Sequence, residues 1–213
     1  MDYSLPTRRR QTAVVGLATV GLVGVLVNAA VLLAAPLLRP EIGLLDGALS
    51  QYAVGPWAAL QNVGFVALGV SSLAIAAALS LTPTGSPWLL VGTALLALAA
   101  TACIGMAAFP MGAVGPATPL GDTHQTATTL AVGCQLGSML ATAIAFRTDP
   151  AWRSLVPPGL LLFSTALIGA LLTQAELLWP ELPIPFGVVM RIVVIPLLIW
   201  WALVALRLRA HPG

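Results

Sequence analysis

The chain has 213 residues, of which 59% are hydrophobic and only 8% charged, with a formal net charge of +2. That balance lies far outside a soluble globular domain, and no nucleic-acid partner is implied, because the few basic residues stand where membrane topology needs them. All nine basic residues are arginine, so a lysine Schiff base to retinal or pyridoxal is excluded too.

Long apolar runs recur along the whole chain, and six reach the roughly 20 residues a helix needs to cross a hydrocarbon core. They predict an all-α polytopic membrane protein, a single domain built as a six-helix transmembrane bundle. A β-barrel is disfavoured, because the runs are about twice the length of a barrel strand and do not alternate. The first span, about 12–38, follows Arg8, Arg9 and Arg10. It is too long for a signal-peptide core, lacks a cleavage site and is followed by five more spans, so it reads as a membrane anchor. Gly16, Gly21 and Gly24 in this span, and Gly64 and Gly69 in the next, have the small-residue spacing of close helix packing.

The loop RPEIGLLDGALSQYAVG leads to the second span, about 56–81. Asp46 and Ser50 are four apart there, followed by Gln51 and Tyr52. On a short interfacial helix, Asp46 and Ser50 share a face and point into the mouth of the bundle; in a local turn they serve the backbone instead. Asn62 lies near the start of the second span, and Asn28 lies deeper in the first. The third span covers about 87–108 and carries Cys103; with Cys134 in the fourth it forms no CxxC spacing, and both read as small buried residues.

The loop FPMGAVGPATPLGD opens the fourth span, about 123–146. Asp122 with Gln125 has the form of a capping box, while His124 is an ionisable residue at the membrane mouth. His124, Thr128, Ala131, Gln135, Ser138 and Thr142 fall on one helix face. Gln135 lies roughly 16 Å below His124 along the axis, and needs a polar partner. The fifth span, about 155–175, ends at Glu176; the sixth, about 185–206, carries Arg191 about two turns in. An arginine at membrane depth costs about 2.5 to 3.5 kcal/mol even on lenient scales. It calls for a carboxylate, Glu176 being nearest by topology and Asp46 and Asp122 next, or else for an anionic ligand. Trp179 is placed at one interface, and Trp88 and Trp152 at the other.

The loop charges set the orientation. One face holds Arg8, Arg9, Arg10, Arg147, Arg153, Arg207 and Arg209 against Asp2 and Asp149; the other holds Arg39 against Glu41, Asp46, Asp122, Glu176 and Glu181. The arginine-rich face is therefore cytoplasmic, with both termini, and the protein is a multi-pass plasma-membrane protein. The candidate acid/base residues are His124, Asp122 and Asp46, and the candidate substrate contacts are Arg191, Ser50, Tyr52, Asn62, Gln135 and Glu176. Zinc and bis-histidine haem are disfavoured, because His124 has no second histidine on its face and His211 lies on the other. No cofactor is implied. The partners expected are membrane lipids and a lipid-like or small amphipathic substrate in an outward-facing polar pocket. Three roles follow: an acid/base enzyme on such a molecule, a transporter component, or an accessory protein without chemistry.

The segment LLDGALSQYAVGPWAALQNVGFVALGVSSLAIAAAL, Phe109-Pro110 ahead of the loop ending in His124, and GVVMRI around Arg191 resemble the prokaryotic six-span membrane proteins of domain-of-unknown-function family 998. The resemblance covers nearly the whole chain. It implies an Asp and Ser before the second helix, FP followed by an acid, a His opening the fourth helix, and an acid or amide before the Arg of the sixth. Asp46, Ser50, His124 and Arg191 match. Met111, Gly112 and Met190 depart, which weakens any site that needs an acid or amide there. The family carries no assigned activity, so the resemblance implies a fold and a site location.

Overall fold

The computed structural model describes residues 4–82, 85–109, 111, 118–179, 181 and 184–211; Asp2, Pro110 and Gly112 lie outside these. Six helices follow one another: α1 (Ser4–Leu38), α2 (Ala58–Ser80), α3 (Pro87–Ala108), α4 (Pro119–Phe146), α5 (Val156–Leu178) and α6 (Phe186–Ala210). All six are long and apolar enough to cross a membrane, and no strand occurs among the described residues. Neighbours in sequence pack in space, α6 returns to α1, and α6 also touches α2 and α4 across the middle. The fifth helix is the most peripheral, with the smallest buried share of any span.

Two helix starts differ from the sequence reading. The first helix begins at Ser4 and carries Arg8, Arg9 and Arg10, all exposed. Arginine is a good helix former, and at about 1.5 Å per residue a helix this long outreaches a ~30 Å core, so its first turns project beyond the lipid. The fourth helix begins at Pro119. Its cap is Thr118, whose hydroxyl accepts from the Gly121 amide at 3.1 Å, with Pro119 at the first helical position. Asp122 is therefore not the cap. It is exposed in the first turn, where a carboxylate complements the helix dipole.

Lipid tails are as apolar as leucine, so the helices associate through close packing and a few polar bonds. A Cβ on Gly24 would stand 2.6 Å from the Ala67 carbonyl oxygen, one on Gly69 2.9 Å from that of Ala100, and one on Gly92 2.8 Å from Thr142 Cγ2. The polar bonds sit at these crossings. Ser71 Oγ donates to Gly21 O at 2.6 Å, Ser138 Oγ to Gly92 O at 2.6 Å, and Asn28 Nδ2 to Gly64 O at 2.8 Å. Gly16 is different: nothing lies within 4 Å of a Cβ there.

At the end of the bundle where α4 leads into α5, Trp152 is buried and stacks on Phe146 with ring centroids 4.4 Å apart. The sequence reading put it at the lipid interface; the 149–155 turn folds it under α4 instead, with Ala151 O held by the Arg207 guanidinium. Trp88 and Trp179 are exposed, as interfacial rings are.

Candidate functional site: a roofed cavity between five helices

Beyond α1 the chain doubles back over the bundle. The Arg39 guanidinium gathers this segment: Nε pairs with Glu41, and Nη1 donates to Val54 O at 2.6 Å and Pro56 O at 2.9 Å. The same guanidinium holds the exposed Glu41 carboxyl below its ordinary pKa. The loop then turns Trp57 into the left-handed region, φ 67°, a costly conformation for a bulky residue.

The middle of this segment rests on the start of α6. Val188 N donates to Leu45 O at 3.1 Å, and Arg191 Nη1 donates to Leu44 O and to Gly187 O, both at 2.7 Å. The Val188 amide, which also donates to Pro185 O at 2.9 Å within its own helix start, is shared with the loop in this way. The contact needs glycine, because a Cβ on Gly187 would stand 2.7 Å from each of the carbonyl oxygens of Leu44, Leu45 and Gly47. The expected ion pair is absent: among the described residues the salt bridge is Arg39 to Glu41, and Arg191 has none. Its Nη2 is buried with no partner. Backbone carbonyls supply the partial negative charge that a carboxylate was expected to bring.

Next comes a short 3-10 turn, Leu49–Ala53, which forms a roof. Of the two arrangements open for Asp46 and Ser50 the turn is the one formed: Asp46 is in the preceding turn and exposed, while Ser50 lines the cavity. Sulfur secures the roof. Leu49 N reaches Met190 Sδ at 3.4 Å, and Ser50 Oγ donates to Met111 Sδ at 3.0 Å.

Beneath it lies a cavity of about 90 Å³, reached by α1, α2, α3, α4 and α6. Its walls are mostly apolar, among them Leu32, Phe65, Met106, Met190 and Val194. Asn28, Ser50, Gln61, Thr128 and Gln135 supply the amides and hydroxyls. The floor is a buried bridge: Trp201 Nε1 donates to Gln135 Oε1, and Gln135 Nε2 donates to Ser72 Oγ at 2.9 Å. This is the polar partner that Gln135 required, supplied by α2 and α6 at once.

His124 is 2% exposed and stands one turn above Thr128, whose hydroxyl donates to the His124 carbonyl at 2.9 Å. Its Nδ1 lies 2.8 Å from Phe109 O and 3.2 Å from Met106 O. Two carbonyl oxygens require a donor, which assigns a proton to Nδ1. Nε2 is buried and unpartnered, and the ring tilts against Phe65 at 5.9 Å between centroids. His124 thus clasps the end of α3, where helical carbonyls lack intrahelical donors. Replacing His124 by Phe should cost about 1 to 3 kcal/mol, since the buried Met106 carbonyl and the part-buried Phe109 carbonyl lose their donor. Thermal unfolding in micelles measures this, and an unchanged midpoint would refute the clasp.

The remaining candidates are dispersed. Tyr52 is 1% exposed and packs with Ala35 and Leu49, its hydroxyl unpartnered. Asn62 lines a separate groove between α1 and α2, beside the exposed Val63 and Val66. Glu176 is half-buried near the end of α5, with Oε2 unpartnered. Asp122 makes no side-chain hydrogen bond to His124. The structure therefore joins Ser50 and Gln135 in one cavity, with His124 at its upper edge and Arg191 behind the roof. Gln61 is not singled out by the sequence, though it is 7% exposed and lines the cavity, because residue type and spacing do not separate it from Asn62 beside it.

The model of a family described as a protein of unknown function, DUF998, matches residues 22–207. The chain belongs to the DUF998 family. No curated protein and no solved structure matches it. The DUF998 match runs from within α1 to the last turns of α6, so it takes in every cavity-lining residue and leaves out Arg8, Arg9 and Arg10. Within this DUF998 chain, Met111 and Met190, two of the positions that depart from the expected pattern, hold the same roof turn through their sulfurs. Among the described residues no group of three side chains is placed to hold a metal ion.

Proposed function

We propose that this protein is a multi-pass plasma-membrane protein with cytoplasmic termini, whose cavity opens toward the outer leaflet and takes up a lipid-like or small amphipathic molecule. The observation that carries the reading is the cavity itself: apolar walls, amides and hydroxyls among them, closed by a loop turn instead of a helix. Pockets of this composition are the usual small-molecule sites of helical bundles. At about 90 Å³ it is smaller than the roughly 150 Å³ that admits a benzene ring. It therefore holds a few heavy atoms of such a molecule, the remainder lying outside it.

Binding is favoured over acid/base catalysis. Nδ1 of His124 is committed to carbonyls, and Asp122 and Asp46 are exposed. A transport path is disfavoured because Gln135, Trp201 and Ser72 close the floor. A purely accessory role predicts an Arg191 to Glu176 pair and a filled core, and neither is present.

The test is native mass spectrometry of the protein released from nanodiscs, comparing wild type with Leu32→Trp, which fills the cavity from α1. Wild type is expected to carry a bound amphiphile, and the variant to lose it by about tenfold, the loss of roughly 1.4 kcal/mol of binding. Equal unfolding midpoints establish that the variant is folded. Wild type without any adduct, or a variant with the same adduct, would sink the reading.

A further inference from the structure

We propose that the cavity selects an uncharged amphiphile, one whose head is a hydroxyl or carbonyl group, and holds that head at the roof end through Gln61 with the hydrocarbon directed toward Gln135. The proposal rests on the binding role above and adds the class and the orientation of the ligand.

The class follows from what lines the space. No carboxylate, guanidinium or imidazole is among the lining residues. A charged head drawn into it would lose its hydration without an opposite charge in return, which is among the most costly events in an apolar interior. A neutral hydroxyl or carbonyl needs only one or two hydrogen bonds, which an amide supplies as donor and acceptor together.

The orientation follows from which polar groups are free. At the floor, Gln135 is engaged at both ends of its amide, with Trp201 and Ser72. Asn28 is tied through Nδ2 to Gly64 O and keeps only its Oδ1 as a free acceptor, Thr128 donates to the His124 carbonyl, and Ser50 to Met111. Gln61 is 7% exposed and makes no side-chain hydrogen bond among the described residues. It stands in the first turn of α2, directly after the roof segment. Its amide is open to the cavity and engaged by no side-chain or backbone partner there, so it is the group a ligand head can bond without displacing a protein contact. The walls adapt to such a guest, since Met106 and Met190 carry flexible, polarisable side chains.

The competing reading places an anionic head on Arg191, whose Nη2 is buried and unpartnered. Geometry weighs against it: Arg191 is not in the lining, and its Nη1 is turned to the carbonyls of Leu44 and Gly187.

The experiment uses one medium-length alkyl chain with a photoreactive diazirine, prepared with three heads: a primary alcohol, a phosphate and a trimethylammonium. Each is irradiated with the full-length protein in nanodiscs, and labelled peptides are mapped by mass spectrometry. The alcohol is expected to label residues around Leu32 and Val194 at least about tenfold more than either charged probe. Gln61→Leu should reduce the alcohol's labelling about fivefold to tenfold, as loss of a ligand hydrogen bond does. Its unfolding midpoint should stay at or above wild type, because the amide has no protein partner to lose. Gln61→Met provides a second variant if the first fails to fold. Phosphate or ammonium probes that label the cavity as strongly as the alcohol would overturn the proposed class while leaving cavity binding intact. Unchanged alcohol labelling in both Gln61 variants would overturn the proposed contact. If no probe labels the cavity, the binding role itself fails, and this inference with it.

Discussion

Gly187→Val is expected to lower the unfolding midpoint of the purified protein by about 10 °C. The first Cβ atom meets three backbone oxygens, of Leu44, Leu45 and Gly47, at 2.7 Å each. None of these is the end of a flexible side chain that can swing aside. Overpacking of this kind costs about 1 to 3 kcal/mol. Moving the loop away also releases the Val188 to Leu45 and Arg191 to Leu44 bonds, at about 1 kcal/mol each. For a chain of this size, about 2 to 4 °C accompanies each kcal/mol. The matched control is Gly16→Ala, where a Cβ meets nothing within 4 Å; it should be neutral or slightly stabilising, since alanine exceeds glycine in helix propensity by up to about 1 kcal/mol. Tryptophan fluorescence during heating in micelles reports both. Similar midpoints for Gly187→Val and wild type would show that the loop is not seated on α6.

Removing the floor of the cavity should be costly. Gln135→Leu keeps nearly the same volume but leaves Trp201 Nε1 and Ser72 Oγ without the amide that joins them. Both residues are 1% exposed, so water cannot replace it. Each orphaned group costs about 1 to 3 kcal/mol in a protein interior. Interhelical bonds in membranes average nearer 0.6 kcal/mol, because the unfolded chain in lipid also finds partners. A total of about 2 kcal/mol, or roughly 4 to 8 °C, is the expected loss. Trp201→Phe costs stability on its own by opening a cavity, but it deletes one orphan in the Gln135→Leu background, so the double variant should lose about 1 kcal/mol less than the sum of its singles. A double variant that is the simple sum of its singles would show that the two side chains do not interact.

His124 and Asp122 illustrate how far residue order carries. The sequence marks both as unusual in so apolar a chain, and the one-faced run from His124 to Thr142 locates the interior side of α4: of its six members all but Thr128 are buried. What each residue does is a matter of its neighbours. Asp122 loses the capping role because Thr118 and Pro119 start the helix one turn earlier. His124 closes α3 because that helix ends beside it, a meeting of elements separated by a loop. The pair expected between Arg191 and a carboxylate was a sound inference from the cost of burying charge. It misses that a loop laid across a helix start offers a row of carbonyl oxygens, which answer the same need without an acid.

The six spans, their approximate limits and the family were determined by the sequence, because lipid leaves an apolar chain little choice but a helix of membrane-spanning length. The loop charges likewise carry the expected orientation. The cavity was decided by tertiary structure alone. Gln61 and Asn62 are adjacent amides on one helix, and the roughly 100° between successive side chains turns the first into the cavity and the second to an outer groove. Hydropathy does not distinguish these directions, since lipid and protein interior are equally apolar. Only the packing of α2 against α1 and α3 does.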